Sequence, residues 1–176
     1  MIHALALLSL MAGPVQAEEA TPPPPAVGRP VPQVALFGLE GRKFRLQDVR
    51  EPVVVLNFFA FWCDTWIAEL PQLRELAGQQ KPLGFRLLAI SVDGKWTDQL
   101  DVVCGDDPLP YPVLIDRTSR LSSELGLRRI PTVLVLNRER RVTAVFEAHP
   151  GNPGLLDAIR AAGSMANGPK GKTRGS

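Results

Sequence analysis

The sequence predicts an α/β protein built on a central mixed sheet, with helices on both faces and a hairpin at its N-terminal end. A nearly continuous apolar run at residues 53–59 is typical of a strand buried on both faces, and residues 64–77 follow it with helical spacing. A second apolar run of strand length covers residues 85–92. Two short apolar segments at 132–136 and 142–146, joined by a polar turn, predict an antiparallel hairpin. Parallel strands followed by a hairpin make the predicted sheet a mixed one.

Shorter segments complete this order of elements. Residues 34–37 and 42–46 alternate in polarity around Gly38 and Gly41, which predicts the N-terminal hairpin. Gly126 is a natural helix stop. The remaining predicted elements are a helix at 97–103, a strand at 113–116, a helix at 119–125 and a closing amphipathic helix at 155–162.

The composition is that of a globular protein with one domain. Of 176 residues, 45% are hydrophobic and 22% are charged, which provides enough apolar material for one core. The formal net charge of +2 predicts no basic face for nucleic acid. The two histidines and two cysteines have no metal-ligand spacing, and no glycine-rich loop predicts a phosphate-bearing cofactor. We therefore expect no metal, no cofactor and no nucleic-acid partner.

The N-terminal residues have the pattern of a targeting segment. Residues 1–17 contain a short apolar stretch that Gly13 and Pro14 interrupt, and the small residue Ala17 precedes an acidic residue. This pattern predicts a signal peptide cleaved after Ala17, although no Lys or Arg precedes the apolar stretch. We expect a periplasmic or secreted protein without stable membrane insertion, because the stretch is too short to span a bilayer.

Composition also divides the rest of the chain. Residues 18–26 form a proline-rich linker, which can enter neither a helix nor a central strand. Residues 27–162 contain all the predicted elements and form the domain. Residues 163–176 are rich in Gly, Ser, Asn and Lys and are expected to be a disordered tail.

Cys63 has the most defined position of any potentially reactive side chain. It lies between the strand at 53–59 and the helix at 64–77, and therefore at the edge of a parallel sheet where chemistry gathers. The motifs around it, in order, are VGRPVPQVALFGLEGRKFRLQDV, VVLNFFAFWC, AELPQL, SVD and GLRRIPT. In this order and spacing, residues 27–162 resemble the thioredoxin-like superfamily. Within it they are most similar to the exported TlpA/ResA branch, which is related to the AhpC/TSA (redoxin) domain.

The resemblance implies a thioredoxin-like fold and thiol-disulfide oxidoreductase activity. Its partners would be protein or small-molecule thiols and disulfides, and the chain would act as a monomer. In the family, the first thiolate of a Trp-Cys-x-x-Cys motif attacks a disulfide, and the second cysteine resolves the mixed disulfide. Here the motif reads Trp62-Cys63-Asp64-Thr65-Trp66, so Trp66 replaces the second cysteine. Cys63 would therefore need an external resolving thiol.

The resemblance also assigns roles to other residues. Glu69 matches a carboxylate that handles protons for the thiols, and its alternative interpretation is an exposed helix glutamate. Pro131, which follows Ile130, matches the cis-proline whose loop lies beside the cysteine and pairs its backbone with substrate. Trp62 and Trp66 are expected on the active-site surface, where they would contact substrate together with Ile130 and Pro131.

Cys104 is the only other cysteine in the chain. It follows the predicted helix at 97–103, and about eight helical residues span about 12 Å. A disulfide, in contrast, needs Cα atoms within about 7 Å of each other. We therefore expect Cys104 to be a semi-buried apolar residue and not the resolving thiol.

Two alternatives to an oxidoreductase stay open. One is a thioredoxin fold that has lost turnover and uses the surface around Trp62, Trp66 and Pro131 to bind a peptide or protein. The other is a peroxidase with a single cysteine. The peroxiredoxin pattern places Thr or Ser three residues before the cysteine and Pro seven residues before it, whereas this chain has Ala60 and Leu56 at those positions.

Overall fold

A seven-stranded mixed sheet forms the centre of the computed structural model, which describes residues 27–93 and 107–165. The strand order is β2-β1-β5-β4-β3-β6-β7. β3, β4 and β5 run parallel, whereas β1 is antiparallel to β2 and β5, and β6 is antiparallel to β3 and β7. The strands are β1 (Leu36–Gly38), β2 (Lys43–Phe44), β3 (Val53–Phe59), β4 (Phe85–Ser91), β5 (Val113–Ile115), β6 (Thr132–Leu136) and β7 (Val142–Glu147).

Four α-helices and one 3-10 helix accompany the sheet in the described part of the chain. They are the 3-10 helix Leu46–Asp48, α1 (Asp64–Gly78), α2 (Gln80–Leu83), α3 (Arg120–Glu124) and α4 (Asn152–Met165). The fold class is therefore the predicted one. Gly126 follows α3 with φ 68°, which is the left-handed backbone expected of a helix stop.

Several element boundaries differ from the prediction. α2 was not predicted, because four residues are too short to show helical periodicity. α4 begins at Asn152 and continues to Met165, so its last three residues lie where a disordered tail was expected. The predicted helix at 97–103, Cys104 and the N-terminal targeting segment lie outside the described residues.

Each face of the sheet has its own apolar core. On one face, Val55 and Phe59 of β3 pack in a cluster with residues of α1 and α4. On the other face, Leu56 and Phe58 pack in a cluster with residues of α3 and the 3-10 helix. Because side chains alternate along a strand, the all-buried sequence of β3 supplies both clusters.

The register of the central strands brings distant segments together. Phe58, near the end of β3, pairs with Thr132, the first residue of β6. Because the two strands are antiparallel, the loop before β6 lies beside the loop that follows β3. That second loop leads to Cys63, so sheet register alone places Cys63 next to Pro131.

Candidate active site

Cys63 is the N-cap of α1. Its extended backbone, with φ −88° and ψ 101°, joins the loop after β3 to the helix, and its carbonyl accepts the Ile67 N–H at 3.1 Å. The Cys63 N–H donates to the Ala60 carbonyl at 3.1 Å and closes the preceding turn. Cys63 is 8% exposed. The thiol therefore lies at the positive end of the helix dipole, largely covered by neighbouring residues.

The loop before β6 covers the thiol from the other side. The Cys63 Sγ donates to the Ile130 carbonyl at 3.7 Å. The Ile130–Pro131 peptide bond is cis, as the resemblance predicts. The Pro131 carbonyl in turn accepts the Ala148 N–H at 2.8 Å, which connects this loop to the end of β7.

Asp93 fixes the loop that leads to Cys63. Its Oδ2 accepts the Phe61 N–H at 3.0 Å and the Ser91 hydroxyl at 3.0 Å. Asp93 follows β4, the parallel neighbour of β3, so the two strand ends are joined by side-chain hydrogen bonds. From the sequence, Asp93 is part of the SVD motif and ends the apolar run at residues 85–92, but it has no predicted role in the site. Its place after a parallel strand was the available signal.

Trp66 does not lie on the active-site surface, and this prediction was wrong. The side chain is 0% exposed. Its ring stacks on Phe59 with centroids 3.8 Å apart and an interplanar angle of 16°. Its Nε1 donates to Asn57 Oδ1 at 3.0 Å. Burial of a large ring and a satisfied indole N–H make Trp66 a core residue, so it has no surface for substrate.

Trp62 and Ile67 are the exposed apolar side chains beside Cys63. Trp62 is 72% exposed and Ile67 is 37% exposed. α1 buries Trp66 and leaves Ile67 at its surface. Trp62 precedes Cys63 and Ile67 lies one turn after it, so the thiol is flanked by apolar surface.

Glu69 is buried in α1 and is not an exposed helix residue. Its Oε1 accepts the His149 backbone N–H at 2.8 Å. Its Oε2 is buried without a hydrogen-bond partner among the described residues. Burial raises the pKa of the Glu69 carboxyl, and the hydrogen bond from His149 lowers it in part. The carboxyl is thus suited to hold a proton under conditions where an exposed glutamate would have lost it.

His149 meets Glu69 from the turn between β7 and α4. Its Nδ1 accepts the Gly151 N–H at 3.0 Å, and its Nε2 is buried without a partner among the described residues. Burial lowers the pKa of His149. The sequence alone gives this histidine no role, because it has no metal-ligand spacing to another side chain. No local pattern links residues 69 and 149, because their contact depends on the packing of α1 against the end of β7.

Two positions that carry functional side chains in peroxiredoxins are apolar in this chain. Ala60 and Leu56, where peroxiredoxins carry a hydroxyl and a proline, are both completely buried apolar residues. Within residues 27–93 and 107–165, no three His, Cys, Asp or Glu side chains come together as a metal site. Over the same ranges, no helix combines the length and apolar character needed to cross a membrane.

A mixed sheet with a cysteine at the N-terminus of the helix after its central strand, beside a cis-proline loop, defines the thioredoxin-like class of proteins. Within that class the chain belongs to the AhpC/TSA family, whose family model matches residues 27–145. It is 31% identical over 121 residues to the thiol-disulfide oxidoreductase ResA of Geobacillus thermodenitrificans, with 69% of each chain covered. ResA of Bacillus anthracis is 28% identical over 116 residues, with 66% of each chain covered.

Solved structures give the same assignment. A candidate thiol:disulfide interchange protein DsbE from Chlorobium tepidum has a TM-score of 0.68 and 26% identity, with 78% of this chain and 97% of that chain covered. The exposed lipoprotein thioredoxin Etrx1 of Streptococcus pneumoniae has a TM-score of 0.63 at 24% identity, with 74% and 99% covered, and shares the fold. The chain is therefore a thioredoxin-fold member of the group that contains the ResA and DsbE thiol-disulfide oxidoreductases.

Proposed function

We propose that this protein is an exported thiol-disulfide oxidoreductase that uses Cys63 as its single nucleophile and takes its resolving thiol from another molecule. The observation that carries the proposal is the position of Cys63. It caps α1, and its Sγ lies 3.7 Å from the carbonyl of Ile130, next to the cis bond to Pro131. The sequence has no cysteine one turn after Cys63, because Trp66 occupies that position.

The proposed reaction has two exchange steps. The Cys63 thiolate attacks one sulfur of a substrate disulfide, forms a mixed disulfide and releases the other sulfur as a thiolate that takes up a proton. An external thiolate then attacks the substrate sulfur of the mixed disulfide. This regenerates the Cys63 thiolate and leaves a new disulfide between the external thiol and the substrate. No net oxidant is needed, because one disulfide is consumed and one is formed.

Glu69 is proposed to handle the proton of the departing thiol. Its buried carboxyl has a raised pKa, so it can donate a proton at a pH where a solvated glutamate cannot. Trp62, Ile130 and Pro131 are proposed to contact the substrate, since Trp62 is exposed and the loop at 130–131 meets the thiol. All these groups belong to one chain, so the proposed reaction needs only a monomer.

The test is a mass-spectrometric search for the mixed disulfide. The full chain, expressed with its own N-terminus, is purified from the cell envelope or medium. It is incubated with a peptide whose single cysteine carries thionitrobenzoate as a mixed disulfide, so that the thiolate released by Cys63 is a weak nucleophile that resolves the adduct poorly. Export predicts an intact mass lacking residues 1–17. A single nucleophile predicts that wild type and Cys104→Ser both keep a covalent peptide adduct until a small thiol is added, whereas Cys63→Ser forms none.

Three other outcomes would contradict parts of the proposal. An adduct that resolves without added thiol in Cys104→Ser would contradict the external resolving step. No adduct in wild type, together with insulin reduction no faster than in Cys63→Ser, would contradict the oxidoreductase itself. Cys63-dependent peroxide consumption would favour the peroxidase alternative.

A second candidate function is the binding of a peptide or protein without turnover. The observation that favours it is the exposure of Trp62 and Ile67 beside a covered thiol. It predicts that an apolar peptide without cysteine binds equally well to wild type and Cys63→Ser, and loses affinity in Trp62→Ala. Isothermal calorimetry distinguishes this outcome from covalent capture.

A further inference from the structure

We propose that the turn at residues 148–151 is a positioning element of this active site and that His149 is its positioning residue. Through this turn, Glu69 of α1 and the cis-proline loop are held in one arrangement with Cys63. The inference rests on the proposed reaction at Cys63, but it assigns a role to a segment that the reaction itself does not use.

A closed series of contacts carries the inference. It starts at the Cys63 thiol, which donates to the Ile130 carbonyl at 3.7 Å. The next residue, Pro131, accepts the Ala148 N–H at 2.8 Å. The residue after Ala148 is His149, whose N–H donates to Glu69 at 2.8 Å. Cys63 is the N-cap of α1 and Glu69 lies in the second turn of the same helix, so the contacts return to the helix on which they began.

The turn has an unusual backbone. Ala148 has φ 77° and Gly151 has φ 79°. A positive φ is costly for alanine, and such residues persist only where their surroundings hold them. In this turn the two N–H groups at residues 148 and 149 provide those surroundings, because one binds the cis-proline loop and the other binds α1.

The imidazole of His149 closes the turn. Its Nδ1 accepts the Gly151 N–H at 3.0 Å, which requires a lone pair on Nδ1 and places the proton of the neutral ring on Nε2. When the ring gains a second proton, Nδ1 becomes a donor and can no longer accept from Gly151. Protonation of His149 would therefore open the turn and loosen both the Glu69 carboxyl and the Ile130 carbonyl that contacts the thiol.

Charged groups reach this turn and its flanking residues from α1 and β7. Glu69 on α1 accepts the backbone N–H of His149. Glu75, farther along α1, accepts from the Asn152 side chain at the start of α4, and Glu147 on β7 pairs with Arg129 at 3.5 Å. Burial lowers the pKa of His149, so the ring is neutral and the turn closed at neutral pH.

The experiment compares two substitutions of the same residue. His149→Asn keeps an acceptor, since the Asn Oδ1 takes the place of Nδ1, but it does not titrate. His149→Ala keeps the backbone N–H and removes the acceptor. Both are made in full-length Cys104→Ser, and the rate of Cys63 alkylation by iodoacetamide is measured from about pH 5 to about pH 9. Thermal unfolding of each variant checks that it is folded.

The expected readout is the ratio of the alkylation rates of two of these proteins. Ionisation of the Cys63 thiol changes both rates with pH, so the ratio isolates the effect of His149. Wild type and His149→Asn should alkylate at the same rate at high pH. As the pH falls through the titration of His149, wild type should become about threefold to tenfold faster than His149→Asn, since one lost hydrogen bond releases the thiol from Ile130. His149→Ala should be faster than His149→Asn by this factor at every pH.

Other results would overturn the inference or separate it from the proposed function. If the three proteins have the same rate profile, the turn does not position the site. If the His149-dependent ratio appears but no mixed disulfide forms with a peptide disulfide, the inference stands and the oxidoreductase proposal fails. Glu69→Gln can still accept from the His149 N–H, so it should slow exchange with a disulfide and leave the His149-dependent ratio intact.

The imidazole tautomer provides an independent measurement. In ¹⁵N-labelled full-length protein, the signal lost in His149→Asn should show a proton on Nε2 and a bare Nδ1 at neutral pH. A neutral ring with its proton on Nδ1 would contradict the Gly151 contact and the inference with it.

Discussion

At the scale of single residues, Trp66 lies one turn after Cys63 and is nevertheless part of the core. Its ring stacks on Phe59, and its N–H is satisfied by Asn57. A cysteine at this position would leave most of the ring volume empty and would leave the Asn57 oxygen without its donor. Trp66 is therefore part of the packing of α1 on β3, and a cysteine in its place should disturb that packing.

We expect Trp66→Cys to lower the free energy of unfolding by about 3–5 kcal/mol, as large-to-small core substitutions of aromatic residues do. Trp66→Phe is the matched control. It keeps an aromatic ring on Phe59 but loses the indole donor and part of the ring volume, so it should cost about 1–3 kcal/mol. Denaturation in guanidinium chloride measures both. An unfolding midpoint of Trp66→Cys equal to that of wild type would contradict the core role.

At the scale of elements, helix ends decide how α1 is joined to β4. α1 ends at Gly78, and α2 follows and ends at Leu83. Gly84 then takes φ 65° in the left-handed region and its N–H caps the end of α2 at the Lys81 carbonyl. This turn leads directly into β4, which begins at Phe85. Glycine adopts the required backbone without a steric penalty.

Two glycine substitutions separate backbone conformation from available space. An added Cβ would meet no atom within 4 Å at either Gly84 or Gly78. Gly84→Ala should nevertheless lower the free energy of unfolding by about 1 kcal/mol, because alanine is strained at positive φ. Gly78→Ala, at the helical end of α1, should raise it by about 0.5 kcal/mol. Chemical denaturation measures both, and equal effects of the two substitutions would contradict the assigned backbone of Gly84.

At the scale of the whole molecule, the buried pair of Glu69 and His149 makes stability depend on pH from both sides. The pKa of Glu69 is raised, so the folded state holds its proton longer than the unfolded state. Stability should therefore fall as pH rises above the ordinary glutamate pKa of about 4.3 towards the raised value. The pKa of His149 is lowered, so stability should fall as pH drops below the ordinary histidine pKa of about 6.5.

We expect Glu69→Gln and His149→Asn each to remove one of these two pH-dependent losses of stability. Glu69→Gln keeps the acceptor for the His149 N–H without a buried charge, so it should be more stable than wild type at alkaline pH and lose this advantage in acid. His149→Asn should be more stable than wild type in acid and equal to it at alkaline pH. Unfolding midpoints in guanidinium chloride from about pH 4 to about pH 9 measure both. Parallel curves for wild type and Glu69→Gln would contradict the raised pKa of Glu69.

Sequence patterns are enough to predict the α/β fold, the strand that leads to Cys63 and the proline loop beside it. These features depend on local patterns: an apolar run, a helix start and ordered motifs in a family resemblance.

The sequence could not decide between Trp66 and Ile67 for the buried face of α1. Residues 66 and 67 lie four and three positions before the buried Leu70, and both spacings fit a helix. The tertiary structure decided this, since only Trp66 finds both Phe59 and the Asn57 oxygen. It also decided the burial of Glu69 and its contact with His149, because that contact joins residues 80 positions apart through the packing of α1 against the end of β7.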